Sequence, residues 1–546
     1  MKKLLSLLLA FVMVASVFFA VPFTASAKEI ETAKTYYTSG DYTYTILTDG
    51  TANITGYSGY ASKITIPSTL DGYAVTSIGD RAFSEYYDLS SITIPGSVTS
   101  IGVSAFEYCE SLTSVTILEG VSSIGASAFA RCTSLKSIII PSSIISIDDR
   151  AFSMCRSLIS MKVDSNNQYY DSRDNCNAII ETKTNTLIMG CKNTVVPISV
   201  TTIGDYAFYW CSSLTTITIP NGVTCIGDYA FSLCTSLKSF IMPSSVTNIG
   251  SYIFEGCYNL TSVAIPESVT NISDYAFARC TGLTSISIPK NVTSLGEFSF
   301  YGCNKLESIT VPEGVIRIGD YAFFCCESLT SIIIPSSVTS IGDSTFSECT
   351  SLISITIPET VTSIGAFAFN YCTSLISIKI PEGVTSIGSG AFSSCYNLTS
   401  ITIPSSVTSI EEYMFAESSS LTSITIPEDV TSIGDYAFDY CSCLTDIYYG
   451  GTQSQWSDMY IGDCNEVLLS ATIHYNSNKP CGILGDVDGD GKVTVLDGTY
   501  IQLYLVEKLE LSQESLAVSD TNSDGVISIM DATLIQMLLA ELIPEF

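Results

Sequence analysis

Histidine is almost missing from this chain: His474 is the only one among 546 residues. One imidazole leaves the usual proton-transfer chemistry poorly supplied. A Ser-His-Asp arrangement would need His474, which stands beside no recognisable nucleophile motif. Basic residues are scarce too, 23 against 54 acids, giving a formal charge of -31. That balance keeps a long apolar-cored body soluble and argues against nucleic acid or anionic lipid as partners. Long apolar runs are limited to Leu4 to Phe23, which follows Lys2 and Lys3 and precedes Ala25-Ser26-Ala27. Basic start, apolar middle and an A-x-A end predict a cleaved secretory signal peptide over residues 1–27. The run is nearly long enough to span a bilayer, so an uncleaved anchor is the competing reading; the cleavage motif favours removal, after which no membrane insertion is expected.

What is present is a repeat. Pro381 to Ile403 reads PEGVTSIGSGAFSSCYNLTSITI, with apolar residues at Val384, Ile387, Ala391, Phe392, Cys395, Leu398, Ile401 and Ile403. Its phenylalanine recurs every 23 residues at Phe83, Phe106, Phe129 and Phe152, then again from Phe208 to Phe438. One such unit cannot bury its own apolar face, so successive units must stack around a shared core. The expected fold is a repeat solenoid of 23-residue coils over residues 64–446. In each coil, Leu398-x-x-Ile401-x-Ile403 sends three side chains inward from a short strand and leaves the residues between them outside. A following proline, replaced once by Leu118, ends the strand because it has no N–H to give. Gly388 is expected to permit a tight bend. Before the coils, polar–apolar alternation around Asp49-Gly50 predicts a hairpin that caps the first coil, within a cap at residues 28–63.

Thirteen of the twenty cysteines lie three residues after the repeat phenylalanine: Cys109, Cys132, Cys155, Cys211, Cys234, Cys257, Cys280, Cys303, Cys326, Cys349, Cys372, Cys395 and Cys441. Stacked coils would align them about 5 Å apart with parallel side chains, a poor geometry for disulfides. They read as small buried thiols filling a core slot, against the alternative of a bridged ladder.

The pattern LTSITIP…VTSIG…AF…C resembles the BspA-type, or Treponema pallidum-type, leucine-rich repeats of bacterial surface proteins. Two irregularities fit the resemblance. Residues 161–196 look like that family's hairpin-bearing long repeat, and residues 447–475 are similar to its closing segment, with Trp456 as a packing anchor. The resemblance implies a secreted or surface binding protein.

A short polar linker over residues 476–484 leads to the strongest chemical signal. GDVDGDGKVTVLD places Asp486, Asp488 and Asp490 at loop positions 1, 3 and 5, Lys492 at 7, Thr494 at 9 and Asp497 at 12. SDTNSDGVISIMD repeats this with Asp520, Asn522, Asp524, Val526, Ser528 and Asp531. Oxygen ligands on alternate residues converge on one ion when the chain wraps it; Gly491 and Gly525 supply the sharp turn, and Lys492 and Val526 a backbone carbonyl. Hard oxygen donors in this number select calcium, two ions in all. Amphipathic helices are expected over Leu496–Leu505 and Met530–Leu542. Two loop-helix halves 34 residues apart resemble a type I dockerin over residues 485–546, a small all-α calcium-binding module. The resemblance implies a cohesin on a cellulosome-type scaffoldin as partner. It implies contacts from Val495, Leu496, Ile529 and Met530, which flank the last ligands, and from Gln502 and Gln536 on the helices. Some of these residues instead pack the module's own core in the competing reading.

Many dockerin-bearing proteins are glycoside hydrolases, but paired catalytic carboxylates need one unique constellation. Here the acids recur, as Asp205, Asp228, Asp274, Asp320 and Asp435, each just before a tyrosine. The row is either an exposed acidic and aromatic stripe or a seal along the coil edges. Outward strand positions such as Thr218, Thr356, Thr402 and Thr425 are hydroxyl-rich. The expectation is a secreted, non-catalytic binding protein, extracellular or held at the cell surface through a scaffoldin. The alternative is a dockerin-borne hydrolase or peptidase with its site in residues 161–196.

Overall fold

A computed structural model describes residues 35–476, together with 498, 499, 501, 502, 505, 519, 521 and 527–539. The expected signal peptide and the first part of the expected N-terminal cap lie outside the described residues.

The repeat folds as its period demands. Strands pair in parallel with partners 23 residues away: Ser100-Ile101 with Ser123-Ile124, Ser308–Thr310 with Ser331–Ile333, and Ser400–Thr402 with Ser423, Ile424 and Thr425. Inward positions are buried, with Leu398 at 0%, Ile401 at 4% and Ile403 at 2% exposure. The phenylalanines form a column of rings: Phe277, Phe300 and Phe323 sit 5.4 and 5.5 Å apart and nearly parallel. A one-residue slip of a strand would carry its inward positions, such as Ile401, to the solvent face, which pins the register.

Both ends are closed. Tyr37–Ser39, Tyr42–Ile46 and Ala52–Tyr57 form an antiparallel meander around Asp49-Gly50, and Ala52–Tyr57 then pairs in parallel with Tyr73–Ile78. Tyr57 stacks on Phe83 at 5.5 Å and so begins the ring column. At the other end, the helix Gln453–Asp458 starts in a capping box of Thr452 and Gln455, and buried Trp456 packs edge-on against Tyr449 at 5.2 Å. Asn465, buried and unforeseen in the sequence, completes this closure. Where one regular coil follows another, the phenylalanine N–H donates to a carbonyl of the next coil, as Phe415 does to Ala437. After Phe438 the repeat ends, and Asn465 Oδ1 accepts that N–H at 3.0 Å instead.

The long repeat carries the expected hairpin, Ala178–Glu181 against Thr186–Gly190. Its residues point both ways: Ile179, Met189 and Cys191 join the core of the preceding coils, while Ala178, Ile180 and Leu187 join that of the following ones. The apolar core is therefore two bodies that meet at this hairpin. Arg150 lies over the Tyr206 ring and Arg156 over Trp210, at 5.5 and 5.3 Å, bridging the seam.

Candidate functional site

The cysteine column is a hydrogen-bond ladder as well as a filler. Cys303 Sγ donates to the Phe277 carbonyl oxygen at 3.2 Å, and twelve of the thirteen column cysteines make the same bond to the phenylalanine 26 residues earlier. Cys211, the first after the seam, is the member outside that set. All described cysteines are free thiols. Burial pushes the Cys303 and Cys349 thiols up to about 12, which keeps them neutral and unreactive.

The Asp-Tyr row resolves into two structural devices. Asp205 Oδ1 accepts the Asp228 N–H, Asp228 Oδ1 the Ser251 N–H and Asp274 Oδ1 the Glu297 N–H, all at 2.8 Å. Each carboxylate thus clamps its own coil to the next. This also corrects the reading of the repeat glycine, whose φ is not positive at Gly388, Gly227 or Gly342. A Cβ on Gly227 would lie 2.1 Å from Asp205 Oδ1, one on Gly342 2.2 Å from Asp320 Oδ1, and one on Gly388 2.4 Å from the Ala366 nitrogen. Glycine is needed there for the close approach of the preceding coil rather than for a bend.

The tyrosines stack face to face. Tyr206, Tyr229, Tyr252, Tyr275, Phe298 and Tyr321 form one ladder with centroids 4.3 to 4.9 Å apart and planes within 9°. They are half-buried, and each inner ring spends both faces on its neighbours, which seals the coil edge and leaves no open stacking platform. All six have positive φ, between 54 and 58°, as do the residues two after each phenylalanine, such as Trp210 and Leu233. The left-handed conformation costs a non-glycine residue about 1–2 kcal/mol. In return it turns the N–H along the solenoid axis: Tyr206 and Trp210 donate to the carbonyls of Asp228 and Ser232, as does Phe208 between them to that of Ala230.

Hydroxyls on the strand faces are similarly engaged. Thr99, Thr293, Thr362 and Thr385 each donate Oγ1 to the carbonyl of the residue 23 earlier, at 3.0 to 3.2 Å. Thr218 is exposed and lies outside any regular strand, and Thr402 and Thr425 are half-buried. His474 is bonded through Nε2 to Asp446 Oδ1 at 2.8 Å and stacks on Tyr448 at 4.8 Å. The bond to His474, and then one from Thr445, holds the Asp446 carboxyl below its usual range. In the long repeat, Arg173 pairs with Asp171 at 2.5 Å and bonds Asn185 and Ser199, so these polar groups tie the hairpin to its flanks.

Of the expected calcium donors, Ser528 and Asp531 are described; Asp486, Asp488, Asp490, Lys492, Thr494, Asp497, Asp520, Asn522, Asp524 and Val526 lie outside the described residues. Loop positions 9 and 12 are brought together: Asp531 Oδ2 accepts the Ser528 N–H at 2.8 Å and its Oγ–H at 3.1 Å. Thr521 donates to Asp531 Oδ1 at 3.2 Å, and Asp531 is fully buried. A buried carboxylate beside two hydroxyls is oxygen-donor chemistry that fits a hard cation. Among the described residues no group of three or more His, Cys, Asp or Glu is placed to hold a metal.

The second helix runs from Ile529 to Leu539, one residue earlier than the pattern implied; residues 540–542 lie outside the described residues. Gly498 lies against this helix, where a Cβ would sit 3.4 Å from the Ala532 carbonyl oxygen, and Ile501 and Ile535 are fully buried. Gly498 and Ala532, like Ile501 and Ile535, are 34 positions apart, so the duplicated halves contribute equivalent residues to the packing. Among the expected contact residues, Ile529 is 62% exposed, Gln536 is exposed and Gln502 is half-buried. Val495, Leu496 and the Met530 side chain lie outside the described residues. Among the described residues no helix is long and apolar enough to cross a membrane.

The family model for the BspA type leucine rich repeat region matches in six copies, over residues 76–183, 179–293, 270–364 and 349–467. The model for the dockerin type I domain matches residues 484–540. No curated protein matches the chain. Among solved structures, the chain is similar to a leucine rich cell surface protein from Faecalibacterium prausnitzii, with 29% identity, TM-score 0.39, and 78% of this chain and 97% of that one covered. It is similar also to a leucine-rich repeat protein from Bacteroides ovatus, with 26% identity, TM-score 0.46, and coverage of 80% and 99%.

Proposed function

Because the chain belongs to the BspA-type leucine-rich repeat family and carries a type I dockerin domain, we propose that it is a secreted, non-catalytic binding protein docked on a scaffold outside the cell. The dockerin, at residues 485–546, engages a cohesin of a cellulosome-type scaffoldin, and the solenoid presents its surface to protein, cell-surface or substrate ligands. The observation that carries this reading is the match of the dockerin model over residues that hold two oxygen-rich loops 34 positions apart.

Two calcium ions are held in this proposal, one by Asp486, Asp488, Asp490, Lys492, Thr494 and Asp497, the other by Asp520, Asn522, Asp524, Val526, Ser528 and Asp531. Bound calcium supplies the charge around which each loop folds. Cohesin contact falls to Val495, Leu496, Ile529, Met530, Gln502 and Gln536; the exposure of Ile529 and Gln536 supports their share of it. Both family models describe binding or repeat regions, and the polar groups of the long repeat are engaged in holding its hairpin, which favours a non-catalytic role.

The test is capture of the full secreted chain on immobilised scaffoldin cohesins, in calcium and in excess chelator. Retention in calcium, lost with chelator and weakened by Ile529→Asp, is the expected result. Retention that persists in chelator, or no retention on any cohesin in calcium, would refute the docking role.

A further inference from the structure

The inner rings of the tyrosine ladder have no free faces, but rings of the N-terminal cap do. Tyr37, on the first strand of the meander, stacks on Tyr44 with centroids 5.5 Å apart and planes at 29°. Tyr73, which opens the strand after the Asp71-Gly72 turn, flanks the same Tyr44 at 6.4 Å and 45°. Tyr44 is 1% exposed between them, whereas Tyr37 and Tyr73 remain 40% and 38% exposed, and the adjacent Tyr36 is 61% exposed. With their inner sides on Tyr44, the outer ring surfaces face water.

A carboxylate is fixed at the same place. Asp71 accepts a hydrogen bond from Ser39 Oγ at 2.7 Å and from the Tyr44 hydroxyl at 2.9 Å. These two donors come from the meander and hold the turn bearing Asp71 against it, with Tyr73 just beyond. Segments 32 positions apart, at Ser39 and Asp71, thereby converge on one exposed spot. It combines splayed tyrosine rings, a positioned carboxylate and a serine hydroxyl. The inner rings of the Tyr206–Tyr321 ladder differ from it in being spent on one another.

We propose that Tyr37 and Tyr73, with Asp71 and Ser39 at the same spot, form a binding site for an uncharged polysaccharide. A sugar ring presents C–H groups on its faces, which lie against aromatic rings, and hydroxyls on its rim, which donate to carboxylate oxygens. The formal charge of -31 excludes polyanionic glycans from the same surface. This site narrows the ligand of the presented surface and stands on the cap alone, whether or not the dockerin meets a cohesin.

The experiment is native affinity electrophoresis of the full chain in gels containing mixed-linkage β-glucan, galactomannan or hydroxyethylcellulose, with and without calcium. Retardation in at least one gel is expected in both conditions, which separates this site from the dockerin. The double substitution Tyr37→Ala/Tyr73→Ala weakens it about tenfold or more, as for a truncated aromatic anchor. Tyr206→Ala leaves it unchanged. Since the two rings also cover Tyr44, the unaltered protein provides a second readout: tetranitromethane nitration of Tyr37 and Tyr73, mapped by mass spectrometry, falls when the retarding polysaccharide is present. Absence of retardation in all three gels, retardation that survives the double substitution, or nitration indifferent to the polysaccharide would each overturn the proposal.

Discussion

Replacing Cys303 by serine is expected to do almost nothing, and replacing it by alanine to hurt. Cys303 is fully buried, and its thiol donates to the Phe277 carbonyl oxygen at 3.2 Å. The column contains its own control, because the coil of Phe415 carries Ser418 in the cysteine's place. Ser418 is also fully buried, and its Oγ donates to the equivalent carbonyl, that of Phe392, at 2.8 Å. A serine at 303 keeps a donor, and a better one, while giving up some apolar burial; the two effects offset to within about 1 kcal/mol. Alanine removes the donor and the sulfur together. The Phe277 carbonyl keeps its bond from the Cys280 N–H, so the lost S–H bond costs about 0.5–1.5 kcal/mol, to which the small void left by the sulfur adds. The assay is equilibrium urea denaturation followed by circular dichroism, comparing midpoints at unchanged slope. If serine destabilises as much as alanine, the thiol matters as apolar filling and the ladder of S–H donors contributes nothing.

Alkaline pH tests the same column. Unfolded thiols ionise near 9, whereas in the fold burial holds Cys303, Cys349 and Cys395 up to about 12. The stability contributed by neutral thiols is complete below pH 9 and is lost as pH rises towards 12, because the unfolded chain then binds fewer protons; pH-jump fluorescence should show unfolding within that window, moved upward by several Cys→Ser changes. Phe300→Ala removes a fully buried ring stacked on both sides and should lower stability by about 3–5 kcal/mol, read from the urea midpoint. Asp531→Ala takes away the carboxylate that meets Ser528 and Thr521; calorimetric calcium titration should then show one fewer binding event, with the solenoid's thermal transition unchanged.

Much of this architecture is legible in the sequence because it repeats. Period and composition together locate the phenylalanine column, the inward strand positions and the thiol slot, and Asp-Gly within alternating residues locates the capping hairpin. Position by position, the left-handed residues are hidden, since Tyr206, Phe298 and Ser344 share a conformation but no chemistry. Their one sequence signal is the occasional glycine in the same slots, Gly390 two before a phenylalanine, and Gly256 and Gly302 two after. The recurrence of Asp205 and its counterparts is visible, but their acceptor role depends on the offset of adjacent coils, which composition does not encode. Asn465 occurs once and outside the repeat, so no period announces it. In the two oxygen-rich loops the alternating donors are legible, whereas the partner of Asp531 at Thr521 lies off the expected ligand positions and emerges only from the fold.

The coil can be regarded as the unit cell of a one-dimensional crystal, and the hairpin of residues 178–190 as its single stacking fault. A lattice under tension parts at its fault, where here the core is divided between two bodies and arginine–aromatic contacts take over from the ring column. Load applied along the axis should therefore separate the coils before Phe152 from those after Phe208 as two mechanical blocks. Single-molecule stretching would register them as two distinct lengths of released chain.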